Sequence, residues 1–528
     1  MTSLPLVPLP SSVTPAKGVT FALTHTVSVT GDPDAAGVLH RLILTRTGLH
    51  LTASPGSAEP GIAEPGIAEP GTAEPGTAEP GTAEHGRAVI DVTVDGDGPP
   101  ESYRLTVADN RVTVRGADAA GLFYGVQTLS QLITGSPEGW VIPGVDIDDA
   151  PRFAYRGVML DVARHFHDVA TVTAYLERAA SLKFNVLHLH LSDDQGWRLA
   201  LTRRPELTAR AAASAVGGGA GGFFTSDDYR AIIAHAAANH MTVVPEFDMP
   251  GHTHAVGLAY PEVAAPPALD GWDAAGGPTP VAGETYTGMG VGFSSLRIGA
   301  PETDAFVDDI LTELAELTPG PYLHFGGDEA HGTPAADFAA FVARTSRVIA
   351  DLGKTPIAWH EAGVAADLAP GTIGQYWGLV SPTDGADERA RAFVAGGGRV
   401  ILSPADAVYL DMKPAADSPL GLTWANGPTS LERAYSWEPC EIVPGISEDD
   451  ILGVEAPLWT ETVRDLDDID ALAFPRVAAA AEAAWSVPAG TAAGRTWESF
   501  RKRVGGLGPL WTTLGIRFPA SPEVSWTF

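Results

Sequence analysis

The chain has 528 residues, 45% of them hydrophobic, enough for more than one core and for a large buried pocket. Its 65 acidic residues outnumber 33 lysines and arginines, and the formal charge of −32 is spread along the sequence, which argues against nucleic acid and anionic membrane as partners. Cys440 is the single cysteine, so neither an intrachain disulfide nor a cysteine-based zinc site can form.

The first ten residues lack a basic n-region and carry prolines where the apolar stretch of an export signal would run. No segment has the unbroken apolar length of a membrane span, and a cytoplasmic location is the simplest expectation. Strand-like runs at 39–52 and 88–94 flank a five-residue repeat, Glu-Pro-Gly-Ile/Thr-Ala, over 59–83. A proline in every period interrupts helix and central strand alike, so the repeat reads as a flexible surface excursion that lengthens a hairpin connection. Strand patterns at 103–107 and 111–114 and a helical pattern at 117–133 complete a small α/β domain, residues 1–149.

Beyond Pro151 short apolar runs alternate with helical patterns, the rhythm of a parallel sheet with crossover helices. Strands are expected at 155–161, 185–191, 242–247, 322–325, 355–359, 372–376, 399–402 and 451–456. Helices are expected at 172–181, 226–238, 302–317, 337–352, 386–395 and 469–485. Eight strands close a barrel, so residues 150–528 are assigned a (β/α)8 TIM-barrel fold, whose reactive groups sit at the C-terminal strand ends.

The polar clusters fall at those ends. The fourth strand stops at Gly326-Gly327-Asp328-Glu329, where two glycines free the backbone and let consecutive carboxylates be aimed at one bound molecule. The first strand contains Arg156 and ends in Asp161 to His165, and the second runs from His188 and His190 to Asp193, Asp194 and Trp197. These polar groups fit an ion-pair network inside the barrel. The pair His188 and His190 also fits an H-x-H metal site, because alternating strand geometry puts both imidazoles on one face. The third strand adds Asp248 and His252. Trp359, Trp377, Trp424 and Trp459 lie at or beyond late strands, with Tyr409 and Asp411 after the seventh. Flat aromatic faces beside carboxylates are how a sugar pocket is built.

Taken together, the stretches 156–161, 188–197, 248–252, 324–329, 409–411 and 453–461 resemble the β-N-acetylhexosaminidases of glycoside hydrolase family 20, in the family's order. The small α/β domain before the barrel fits as well. The resemblance implies a substrate-assisted retaining mechanism with no cofactor and no metal, an exception to the two-carboxylate scheme. Glu329 would be the general acid, which must be protonated near neutral pH, a state that burial beside Asp328 would favour. Asp328 would hold the acetamido N–H of the substrate as its oxygen attacks the anomeric carbon to give an oxazolinium ion, and Tyr409 would hydrogen-bond that oxygen.

By the same resemblance Trp359, Trp377 and Trp459 would enclose the acetamido methyl, Arg156 would bind O3 and O4, and Asp411 and Glu461 would bind O4 and O6 with Trp424 nearby. Asp193, Asp194 and His252 would support Glu329, the two aspartates being undistinguished. The implied partner is an oligosaccharide or glycoconjugate with a terminal β-linked N-acetylhexosamine. His360 departs from the family pattern, which more often has Asp, Gln or Asn there, and the proline repeat is unusual. Two rival classes are a metal-dependent barrel hydrolase built on His188 and His190, and a non-catalytic sugar-binding protein, which would lack the acid pair. Sequence leaves open the linkage, the choice between N-acetylglucosamine and N-acetylgalactosamine, and the oligomeric state.

Overall fold

A computed structural model describes residues 4–53, 88–270, 272 and 277–527. They form two compact units, Pro10–Ala150 and a larger one comprising Pro151–Phe528 with the N-terminal segment. The segment 4–9 thus leaves the small domain in which the sequence boundary put it. Leu6 and Val7 are buried, Leu9 N–H donates to Glu482 at 3.1 Å, and Ser486 donates to the Leu9 carbonyl at 2.7 Å.

The smaller unit is a sheet of β1 (Ser12–Leu23), β2 (Ser28–Gly31), β3 (Thr52–Ala53), β4 (Val89–Val94), β5 (Tyr103–Val107), β6 (Arg111–Gly116), β7 (Thr134–Ser136) and β8 (Gly139–Asp149). Its order is β1-β8-β5-β6-β4-β2-β3, with β7 on β8. The run at 39–47 is helix, not strand, within Pro33–Thr47. Asp32 caps it, accepting from the N–H groups of Asp34 and Ala35, Pro33 opens it, and Gly48 closes it at φ 72°. Ala35, Leu39 and Ile43 are buried at four-residue spacing, a helical stripe that outweighs the β-branched content. The repeat at 59–83 lies outside the described residues. The strands on either side of it, β3 and β4, both run parallel to β2 and flank it, so the connection is not a hairpin.

The larger unit closes as a barrel of eight parallel strands. They are β9 (Tyr155–Asp161), β10 (Val186–His190), β13 (Thr242–Glu246), β14 (Tyr322–His324), β15 (Thr355–Trp359), β16 (Ile373–Tyr376), β17 (Val400–Leu402) and β18 (Ile451–Leu458), and β18 pairs with β9. A short ribbon, β11 (Ser192–Asp193) and β12 (Gly196–Trp197), follows β10. The pattern at 469–485 is two helices, Leu466–Ala473 and Arg476–Trp485, because Pro475 has no N–H with which to continue the first. Among the described residues no helix is long and apolar enough to cross a membrane.

Inside the barrel an apolar layer of Tyr155, Val186, Val244, Ile357, Ile373, Ile401 and Leu452 gives way to buried charge. Glu455 accepts from Tyr155 at 2.5 Å and from Gln375 at 2.7 Å, and pairs with His188 at 2.9 Å. Glu246 lies 2.5 Å from His190, 3.1 Å from His324 and 3.2 Å from His188, and accepts from Trp359 Nε1 at 2.8 Å. At the foot of the unit, Glu482 binds Arg503 through two 2.6 Å contacts and lies 3.5 Å from Arg495, all three side chains being almost fully buried. Glu482→Ala would leave two guanidiniums buried without an acid, so we expect a loss of about 3–5 kcal/mol in urea denaturation. A loss under about 1 kcal/mol would show that water reaches the arginines.

Candidate active site

The sharp bend after β14 is set by the two glycines. Gly326 has φ 70° and lies so close to Asp248 that an added Cβ would fall 1.7 Å from Asp248 Oδ1, while Gly327 N–H donates to that oxygen at 3.0 Å. The turn delivers Asp328 and Glu329 to the mouth. Glu329 has φ 45° and His252 φ 54°, left-handed conformations that cost a non-glycine residue about 1–3 kcal/mol each. The two strained residues meet. His252 Nε2 is 3.5 Å from both Asp328 Oδ2 and Glu329 Oε2, and its Nδ1 is 3.2 Å from Asp193.

Burial alone would lower the His252 pKa, but the charges of Asp193, Asp328 and Asp248 outweigh it and hold the imidazole well above its ordinary value. Asp193 also binds Arg164 at 2.8 Å and His190 at 2.9 Å. Burial raises it, yet the Arg164 and His252 charges prevail and keep it ionised. Asp194 is engaged elsewhere, accepting from His254 N–H at 2.9 Å and from Ser294 at 2.6 Å, and so pins the loops after β13. Asp193, not Asp194, is therefore the aspartate that reaches the acid pair through His252. Burial raises Asp328, with Glu329 adding to the shift, and burial followed by the Asp328 charge lifts Asp248 well above the carboxylate range. Of the two, Asp248 is the better holder of a proton.

Asp328, Glu329, Trp377, Tyr409, Trp424, Trp459 and Glu461 line one cavity of about 320 Å³. Trp359 lies behind it, packed with Tyr409 and Trp459. Asp411 is buried, with both carboxylate oxygens unpartnered. Trp377 donates through Nε1 to Glu361 at 2.9 Å, a carboxyl that burial, then Asp328, pushes up to about 8. Sequence reading missed Glu361, which stands two residues after Trp359 beside the unusual His360.

Arg156 is not at the mouth. It is the second residue of β9, at the opposite end of the barrel, where its guanidinium stacks 4.9 Å from the Trp485 ring and donates to the carbonyls of Lys183 and Phe153, each at 2.9 Å. The cavity arginine is Arg164, beyond the C-terminal end of β9, held by Asp193 and stacked 4.8 Å from Trp459. Position relative to the strand end was the signal that separated the two. Met289, Val291 and Leu422 complete the lining from loops without a sequence motif.

His188 and His190 are engaged with carboxylates as described. Burial would lower both, but Glu455 and Glu246 respectively push them up to about 10 and about 9. Each imidazole is thus engaged by carboxylates, as the ion-pair reading of these strands expects. Ligand atoms come together in triads that include these histidines, His188 with Glu246 and His324 and His190 with Glu246 and Asp248, and also in His252 with Asp328 and Glu329.

Burial, followed by the charge of Glu461, lifts Asp411 well above the carboxylate range. A raised acid stabilises the fold fully below its unfolded value near about pH 4, and that contribution is lost as pH rises through the folded value. Asp411→Asn cannot ionise and escapes the loss. Urea denaturation should show the variant about 1–2 kcal/mol more stable than the parent at pH 8, with the gap closing toward pH 4. A gap independent of pH would mean that Asp411 is charged throughout or solvated.

Known proteins share this fold along nearly the whole chain. Residues 153–488 match the glycosyl hydrolase family 20 catalytic domain, and 3–150 match domain 2 of the same family. A β-N-acetylhexosaminidase of Cellulomonas fimi is 41% identical over 427 residues, 81% of this chain and 82% of its own. A solved family 20 β-N-acetylglucosaminidase is 56% identical, with a TM-score of 0.87 over 99% of this chain and 100% of its own. The Streptomyces plicatus N-acetyl-β-hexosaminidase in complex with thio-NAglucal is 40% identical, with a TM-score of 0.85 over 99% and 98%. With both units matched, the chain belongs to glycosyl hydrolase family 20.

Proposed function

We propose that the chain is an exo-acting β-N-acetylhexosaminidase that cleaves terminal β-linked N-acetylglucosamine or N-acetylgalactosamine with retention, using the acetamido group of the substrate as nucleophile. The observation that carries this is the adjacency of Asp328 and Glu329 on one turn, both 3.5 Å from one imidazole nitrogen. Two carboxyls grouped around one nitrogen can reach neighbouring substituents of one sugar, which suits one as acid at the glycosidic oxygen and the other as partner to the 2-acetamido group. A related Streptomyces plicatus hexosaminidase variant has been solved with its product, GlcNAc, which supports N-acetylglucosamine as one such sugar.

On this reading Glu329 protonates the glycosidic oxygen as the acetamido oxygen closes on the anomeric carbon, and it then takes a proton from the water that opens the oxazolinium ion. Asp328 accepts the acetamido N–H. With the Asp248 carboxyl holding the shared proton, Asp328 is the anion that meets the positive charge of the ring nitrogen. Tyr409 steadies the acetamido oxygen, and Trp377 and Trp459 with Trp359 behind them enclose its methyl. Arg164 takes the hydroxyl-binding role expected of Arg156. Asp411 and Glu461, whose buried oxygens include unpartnered ones, are acceptors for O4 and O6.

Glu329→Gln should lower turnover by a factor on the order of 10² to 10⁴, less for aryl glycosides whose leaving group needs no proton. Near-normal cleavage of an oligosaccharide by this variant would remove Glu329 from the acid role. A cyclic thiazoline of N-acetylglucosamine mimics the intermediate and should inhibit far more strongly than N-acetylglucosamine itself. Asp328→Ala should weaken the thiazoline more than the sugar. Equal weakening of the two, or an inverted first-formed product by NMR, would exclude the oxazolinium route.

A further inference from the structure

Glu329 borders a second cavity, of about 710 Å³, within the size range of small-ligand sites. Ala330, Phe338 and Val364 give it apolar walls, and Val364 is 55% exposed although hydrophobic. Besides Glu329, its polar groups are His331, Thr333, Glu361 and, on the helix Ala386–Ala395, Arg389. Arg389 Nε is buried with no hydrogen-bond partner, and among the described residues no carboxylate pairs with its guanidinium, although the chain carries 65 acids. Arg164, by contrast, is held by Asp193 at 2.8 Å. A guanidinium that lines a cavity without a carboxylate partner can take a ligand anion there.

The reaction says where such a ligand comes from. A proton passed from Glu329 to the glycosidic oxygen requires the leaving group to lie against Glu329, and this cavity also lies there. We propose that the second cavity receives the leaving-group sugar and that Arg389 selects one bearing a carboxylate, a sugar acid whose planar anion suits the guanidinium fork. The inference rests on the reading of Glu329 as the acid. Glu361, its carboxyl pushed up by burial and then by Asp328 to about 8, is largely uncharged at neutral pH and does not repel the anion. The formal charge of −32 does repel it, so Arg389 alone would create the preference.

The test compares kcat/KM for two disaccharides, N-acetylglucosamine β-1,4-linked to glucuronic acid and to glucose, on the full chain. The wild-type ratio of acidic to neutral substrate should be about two to five. It should fall below one in Arg389→Gln, where only the acidic field remains, and take an intermediate value in Arg389→Lys, which keeps the charge without the fork. High salt should bring the wild-type ratio toward one. Melting curves establish that the variants fold. A wild-type ratio near one, or a ratio unmoved in Arg389→Gln, would overturn the proposal. An aryl β-N-acetylglucosaminide, which places no sugar in this cavity, reports separately on the site beneath. Failure of the wild type to cleave it would overturn the hexosaminidase reading on which the inference rests, whereas cleavage with a ratio near one would overturn only the leaving-group site.

Discussion

Charge buried inside a barrel is tolerable only when it is paired, and that constraint organises this molecule from its floor to its mouth. Glu455 is tied to Tyr155, Gln375 and His188, while Glu246 is tied to His188, His190, His324 and Trp359. The column continues through Asp193 to His252 and ends at the acid pair. Because each group is fixed by the one below it, the orientation of His252 is a property of the whole barrel interior. A change deep in that interior therefore alters the mouth without touching substrate.

Pairing lapses where a ligand is to be bound. Asp411, Glu461 and Asp328 each keep at least one buried oxygen without a partner, while the network below them is closely paired. His252 and Glu329 add left-handed backbone to these unmet acceptors. Both features cost stability and both occur at the mouth, although single unpartnered atoms such as His324 Nε2 and Gln375 Oε1 are also buried deeper in the barrel. The cost is thus carried by a scaffold large enough to absorb it.

The barrel was legible because each strand is a short apolar run bounded by polar punctuation, and both faces of a parallel strand are buried. The N-terminal helix was not, because Leu39 to Thr47 is apolar and β-branched enough to imitate a strand unless the Asp32-Pro33 start is weighed with it. Local pattern also could not choose between Arg156 and Arg164, since both neighbour a carboxylate-rich stretch and only the polarity of the strand separates floor from mouth. Asp193 and Asp194 are consecutive, and their division of labour depends on His252 and Ser294, distant in sequence. Glu361 was invisible for a similar reason: its significance is a hydrogen bond from Trp377, which belongs to the next strand's loop.

That hydrogen bond bears on how such a pocket works without a nucleophile of its own. If the substrate supplies the attacking oxygen, the protein has to hold a flexible acetamido arm in one bent shape, and the gain lies in orientation more than in covalent chemistry. Rigid aromatic walls suit that role only if they cannot swing. Trp359 is anchored through Nε1 to Glu246 in the barrel interior, and Trp377 through Nε1 to Glu361. Each indole is therefore held at its polar edge by a carboxyl group, Trp377 in the cavity wall and Trp359 behind it. The ion-pair column and the aromatic enclosure meet at Glu246, so the groups that position the acid also brace the walls that would position the nucleophile.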